Sequence, residues 1–291
     1  MKKPEVSTNR FATKNEVFSR EFRKIWRVLA KIHRNYELPD HGDVNKRRYL
    51  WAKNLLRYPE IYAARLWEYP YAILSANLRP GMKCLDVGCG MTAFTIYLSE
   101  VSKTKITGLD PDIFDSGVKY KGHGVSKEFI KRTGLKIVEG GTENLPFKSN
   151  SFERVFCISV IEHLPKKILE AGLKEIARVL KPSGLAVLTF DINMLSEINR
   201  PLDIIWESGL IPMGSIDLKW PFHRFGIFSD GIQPADVFGL TLLKDNYTVS
   251  RDYKGKRIIQ AYLIPTMRDK WMSSHVISYR FKRLVRDILK L

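Results

Sequence analysis

The sequence predicts an α/β fold in which a doubly wound, mostly parallel sheet is flanked by helical extensions. Three observations carry this. Between Lys83 and Asp112 an apolar run with Cys84, Leu85 and Val87 enters Gly88-Cys89-Gly90, a helical pattern follows, and a short strand over 105–109 ends in Asp110. Residues 185–190 form a near-continuous apolar run, the pattern of a strand covered on both faces at the centre of a parallel sheet. Elsewhere apolar residues recur at helical spacing, as in Ile168, Leu169, Leu173, Ile176, Ala177 and Leu180.

Taken in chain order, residues 1–14 read as disordered and 15–33 as an amphipathic helix. Phe18, Phe22, Ile25, Trp26 and Leu29 share one face of it, and Arg20, Arg23, Lys24, Arg27 and Lys31 crowd the other. Such a helix either caps the core or lies on a membrane, and capping is the commoner outcome. Residues 38–43 form a loop. Residues 45–77 read as one or two helices rich in aromatic residues, among them Tyr49, Trp51, Tyr58, Tyr62, Trp67, Tyr69 and Tyr71. Most of these belong to the core, with one or two facing a pocket. A turn over 79–82 delivers the first strand.

Gly88 and Gly90 let the backbone turn sharply and approach a ligand closely. The helix that follows, with Phe94, Ile96, Tyr97, Leu98 and Val101 on its apolar side, points its first amides at that ligand. Asp110, at the tip of the second strand, can accept hydrogen bonds from both hydroxyls of a ribose. A polar stretch over 112–124 with Asp115, Lys119, Lys121 and His123 then precedes a helix near 127–132 and a third strand over 135–139. Residues 181–184 read as a turn between a helix and the apolar strand. Beyond it, 201–209 reads as helix, 211–220 and 235–243 as final strands, and 221–225 as a pocket wall or a packed loop. Residues 278–291 form a second basic amphipathic pattern, suited to a membrane surface, a subunit contact or the protein's own sheet.

The 291 residues suffice for one large domain with extensions, and 44% hydrophobic with 27% charged residues is ordinary for a globular chain. The first ten residues lack the apolar core of a signal peptide, and no run reaches the roughly 20 apolar residues of a membrane span. Cys84, Cys89 and Cys157 form no zinc pattern, which points to a reduced, cytoplasmic setting and to no metal. The net charge of +17 divides as +9 over 1–79, +4 over 80–190, −4 over 191–250 and +8 over 251–291. The basic excess therefore sits at the two ends, which fits either an anionic partner (a lipid surface, a phosphorylated substrate or RNA) or a solubilising surface.

Leu85-Asp86-Val87-Gly88-Cys89-Gly90 resembles motif I of the class I S-adenosylmethionine-dependent methyltransferases, and Asp110 resembles that family's ribose-binding acid. A dehydrogenase uses a similar sheet, but Asp86 stands where that family has an apolar residue, and Ala93 replaces the third glycine of its fingerprint. Three further segments strengthen the resemblance. Residues 140–147 are similar to the family's G-D-A-E-x-L-P-F segment, 151–159 to its S-F-D-x-V strand, and 160–164 to its E-H segment. The resemblance covers about residues 82–190. It implies a Rossmann-like, seven-stranded sheet with an antiparallel edge strand over 80–250, with 1–79 as a helical lid and 251–291 as a basic extension.

The same resemblance implies S-adenosylmethionine as cofactor, held by Asp86, Gly88, Cys89, Gly90, Asp110, Pro111, Thr142, Glu143 and Ser159. One departure is at Gly141, where the family carries the acid that reaches the adenine amino group; Thr142, Glu143 or the backbone is left to make that contact. A hydroxyl acceptor needs a base, for which His163 is the first candidate and Glu162 the second. The absence of base-methylating motifs and of a recognisable RNA-binding module favours an oxygen or carbon acceptor on a small molecule, a glycan or a lipid-linked substrate, with an anionic membrane surface as a possible partner. An RNA methyltransferase with basic ends, or a cofactor-binding protein without catalysis, are the alternatives.

Overall fold

The computed structural model describes residues 9–39, 64–115, 124–191, 205, 207–214, 216–217 and 237–244. Its centre is a run of parallel strands. β2 (Lys83–Val87), flanked by β3 (Lys105–Asp110) on one side and β7 (Phe152–Ile158) on the other, pairs in register Leu85 with Thr107 and with Val155. β6 (Lys136–Glu139) extends the sheet beyond β3, and β8 (Leu180–Asp191) extends it beyond β7. β11 (Val237–Lys244) then runs antiparallel to β8, from Val237 opposite Asp191 to Leu243 opposite Leu185.

The far edge is more elaborate than the sequence predicts. Within the stretch 1–14 read as disordered, Asn9–Phe11 forms a strand, β1, antiparallel to β11 and parallel to β10 (Ile216–Asp217), and 1–8 lie outside the described residues. β9 (Leu210–Pro212) also pairs with β11, giving this sheet nine strands among the described residues. Asn9 explains why the N-terminus is held: its fully buried side chain donates to the carbonyl of Met213 (3.1 Å) and accepts from the amide of Thr241 (2.6 Å). A buried amide with both ends satisfied fixes a register that no hydrophobic pattern over three residues could specify.

Alternation along the strands divides the core in two. Cys84, Ile106, Phe156 and Val187 face one apolar layer, with α2 (Arg20–Asn35), α3 (Arg65–Ser75) and α4 (Ala93–Glu100) packed on it. Leu85, Val155, Cys157 and Leu188 face the other, covered by α6 (Lys166–Val179) through Leu169, Leu173 and Ile176. Helices on both faces of a parallel sheet make the doubly wound α/β architecture that was expected. The first predicted helix is two: α1 (Lys14–Val17) and α2, parted at Phe18 and Ser19, whose hydroxyl accepts from the Phe22 amide and caps the second. The apolar side of α2 caps the core, as the commoner outcome required, and its Trp26 indole donates to the carbonyl of Leu66 at 3.0 Å.

The predicted turn at 181–184 lies inside β8. Pairing jumps from Phe152–Leu180 to Arg154–Leu185, and Ser183 adopts a φ of 59°, so the extra residues bulge out while the ladder continues. α5 (Lys127–Thr133) is preceded by the short parallel pair β4 (Ile113–Phe114) and β5 (Val125–Ser126). Among the described residues no helix is long and apolar enough to cross a membrane. The expectations for 40–63, 221–225, 278–291 and His123 lie outside the described residues.

Gly239 of β11 admits α3 onto the sheet. The stacked rings of Trp67 and Tyr71 lie over it, and a Cβ at that position would come within 2.6 Å of Tyr71 Cζ and 2.7 Å of Trp67 Cη2. Gly239→Val should therefore overpack this interface and destabilise the fold by about 1–3 kcal/mol. Urea unfolding measures this; a midpoint unchanged from the native chain would show that α3 does not need the gap.

Candidate functional site

The candidate site lies along the C-terminal ends of the parallel strands, where side chains from consecutive loops converge. The turn after β2 is built on Gly88 (φ 71°) and Gly90 (φ 52°). At Gly88 the constraint is doubled, since a Cβ would sit 2.5 Å from Val160 Cγ2. The amides of Gly88 and Cys89 both donate to the carbonyl of Leu109, at 2.8 and 3.1 Å, so the turn is bound to the end of β3. Asp110, one residue further, is buried and receives the Gly90 amide on Oδ2 and the Asp112 amide on Oδ1, each at 3.1 Å. A carboxylate oriented by two amides at a strand tip, beside a glycine with no side chain in the way, suits a diol-bearing ligand such as a ribose.

Other expected cofactor residues sit differently. Asp86 is buried and accepts the Thr95 hydroxyl at 2.6 Å, which ties β2 to the first turn of α4. Burial pushes its carboxyl up to about 7, with Asp110 adding to the rise and Thr95 opposing it. The Cys89 side chain is buried against Gly108, leaving only its backbone to the turn. Thr142 is buried against Gly172 of α6, while Pro111 and Glu143 are exposed. The Glu143 carboxylate folds back over Gly141, its oxygens 2.6 and 2.7 Å from where a Cβ of residue 141 would stand. The space that a side chain at 141 would fill is thus occupied by a carboxylate from two residues on.

The two catalytic candidates part company. His163 is exposed on the short 3-10 turn Ile161–His163, whereas Glu162 is buried. Glu162 Oε1 accepts the Ser159 hydroxyl at 2.7 Å, and Ser159, at a φ of 54°, donates its amide to Thr189 of β8 at 2.8 Å. Burial pushes the Glu162 carboxyl up to about 7; nearby Glu68 pushes the same way, and the Ser159 hydroxyl and Arg65 oppose.

Glu68 is the residue that sequence reasoning missed. It lies in α3, almost wholly buried, where it accepts the Thr189 hydroxyl at 2.9 Å and pairs with Arg65. Burial disfavours the Arg65 charge, but Glu68 outweighs it, with Tyr69 and Glu162 in support, and holds the guanidinium protonated. A lone acid between Trp67 and Tyr69 on an otherwise apolar helix was the available signal. The N-terminal extension therefore contributes charge to the edge where β7 and β8 end. Cys157 has no part in it: burial pushes its thiol up, away from the reactive thiolate.

Residues 85–188 match the family model described as a methyltransferase domain. Three curated relatives are similar over this region. A sterol 24-C-methyltransferase of Gibberella zeae is 32% identical over 157 residues, 50% of this chain and 39% of that protein. A demethylmenaquinone methyltransferase of Staphylococcus epidermidis is 34% identical over 125 residues, 42% of this chain and 48% of that one. Squalene methyltransferase 1 of Botryococcus braunii is 37% identical over 145 residues, 46% and 36% of the two chains. The chain thus spans less than half the length of each of these relatives.

The raised Glu162 carboxyl has a consequence for stability. A carboxyl whose folded pKa is about 7 binds its proton more tightly folded than unfolded, so its contribution is fully present below about 4.5 and is lost as pH rises through 7. Glu162→Gln should match the native chain near pH 4.5 and exceed its stability at pH 8 by about 1–3 kcal/mol. Denaturant midpoints across this range test it; parallel curves for the two proteins would place the Glu162 carboxyl near its ordinary value.

Proposed function

We propose that the chain, whose residues 85–188 match a methyltransferase domain, is a class I S-adenosylmethionine-dependent methyltransferase and methylates a carbon or oxygen atom of a lipophilic small molecule. The observation that carries this reading is the coincidence of the domain match with the Gly88–Gly90 turn and the Asp110 carboxylate, oriented by backbone amides at the tip of β3. The chemistry of the acceptor is supported by the three relatives, whose names specify a sterol, a menaquinone precursor and squalene.

In this reading Asp110 accepts the ribose hydroxyls, the backbone of the glycine turn and Pro111 line the ribose and the carboxylate-bearing tail, and Thr142 with Glu143 borders the adenine. The Glu143 carboxylate, folded over Gly141, takes the part of the acid that residue 141 lacks. The cofactor supplies an activated methyl group on a sulfonium. The protein aligns the acceptor with it and excludes water, for which the buried aromatic packing of α3 is suited. The methyl group would pass to a lone pair or π pair of the acceptor, with the neutral thioether as leaving group. The acceptor then sheds one proton. Glu162, buried at the strand edge and titrating near 7, replaces the exposed His163 as the group suited to take it.

Calorimetric titration with S-adenosylmethionine tests the cofactor site. The native chain should bind saturably, and Asp110→Ala should weaken binding by about 10–100-fold, the loss expected for hydrogen bonds to a charged group. Absence of binding to folded native protein would overturn the reading. With an isoprenoid or sterol acceptor found by transfer of labelled methyl, Glu162→Gln should lower kcat by about 10²–10⁴-fold while His163→Ala leaves it within a few-fold. The reverse ranking would return the base to His163.

A further inference from the structure

We infer that the outward face of α2 is a docking surface for anionic phospholipid headgroups. Arg20, Arg23, Lys24, Arg27, Lys31 and Arg34 are all exposed on this helix. At about 100° per residue the six fall within an arc of about 100°, and the exposed acid Glu21 falls outside it. Among the described residues none of the six is joined in an ion pair, and Arg23 alone has a ring contact, its guanidinium 5.4 Å from the centroid of Phe18. The stripe is rigidly mounted. The opposite side of the helix buries Phe22, Ile25, Trp26, Leu29 and Ile32 in the core against α4 and α3.

That mounting selects the partner. Because the apolar side is committed to the core, the helix has nothing to insert into a bilayer, and its attraction is electrostatic. Headgroup phosphates need only a flat, single-signed stripe. A single-stranded nucleic acid would also want aromatic platforms, and Phe22 and Trp26 of this helix are buried. The inference rests on the reading of the acceptor as lipophilic: such a molecule is met at a lipid surface, and α2 packs directly on α4, the helix that follows the Gly88–Gly90 turn.

The test is co-sedimentation of the full chain with phosphatidylcholine vesicles, with and without phosphatidylglycerol, across a salt series. Arg23→Gln, Arg27→Gln, Lys31→Gln and Arg34→Gln are combined in one variant; glutamine keeps the helix and the sites are exposed. The native chain should bind only the anionic vesicles and release them as salt rises. The variant should lose binding by about 600-fold, from about fivefold for each of the four cations near an anionic surface, with its thermal midpoint and S-adenosylmethionine affinity unchanged. Undiminished vesicle binding by the variant, equal binding to zwitterionic vesicles, or preferential capture of an RNA oligonucleotide through the same four residues would each overturn the inference. Because S-adenosylmethionine affinity is read separately, a failed cofactor site with intact vesicle binding would sink the functional reading and leave the docking surface standing.

Discussion

The buried contact between Glu68 and its two partners, Arg65 and Thr189, is the constraint on which the arrangement of the site depends. A carboxylate taken out of water is strongly unfavourable unless its charge and lone pairs are answered. Here the answer comes from both sides of a junction: Arg65 from the same helix and Thr189 from the central strand β8. The charge can stay buried only while α3 remains seated on the sheet. Gly239 makes that seating close, because the Trp67 and Tyr71 rings occupy the space a side chain would fill. Arg10 lies over both rings, at 5.9 and 5.4 Å from their centroids, and bonds to Glu16, which also accepts the Trp67 indole at 2.9 Å. The N-terminal strand, α1 and α3 are thereby one polar and aromatic assembly bolted to the sheet edge.

That assembly changes what the strand ends present. Asp86, Asp110, Glu68 and Glu162 are all buried along one edge, and Arg65 is the cation whose influence reaches Glu68, Glu162 and Asp86. An acidic, poorly hydrated edge favours ligands that bring positive charge, and burial there raises the Asp86 and Glu162 carboxyls. In the proposed reading the activated methyl donor brings that charge, and a carboxyl titrating near neutrality is the group suited to accept the proton the acceptor sheds.

The division of charge over the surface is the complement of this interior. The chain carries +17 overall, yet the strand edge is acidic and the exposed face of α2 is basic. The two features serve different distances: buried acids act on groups in contact with them, whereas exposed cations act across roughly a Debye length of about 8 Å at physiological ionic strength.

Much of the centre was legible from residues alone. Order of strand, glycine turn, helix, strand and acid over 83–112 appears in the structure as β2, the Gly88–Gly90 turn, α4, β3 and Asp110. Such features are local, since apolar periodicity and left-handed glycines act within a few residues. The edge was not legible. Asn9, in a segment read as disordered, is held by Met213 and Thr241, more than two hundred residues away in the chain. The difference between the two base candidates was not legible either. Glu162 and His163 are adjacent in sequence, but a 3-10 turn buries one and exposes the other, and burial raises the Glu162 carboxyl. Sequence alone determined the fold class, the glycine turn and the acid at the tip of β3, because those rest on short-range pattern. Only the tertiary structure decided that the apolar side of α2 caps the core, that Glu68 joins the site and that Gly141 is covered by Glu143, because each depends on packing between residues that periodicity cannot bring together.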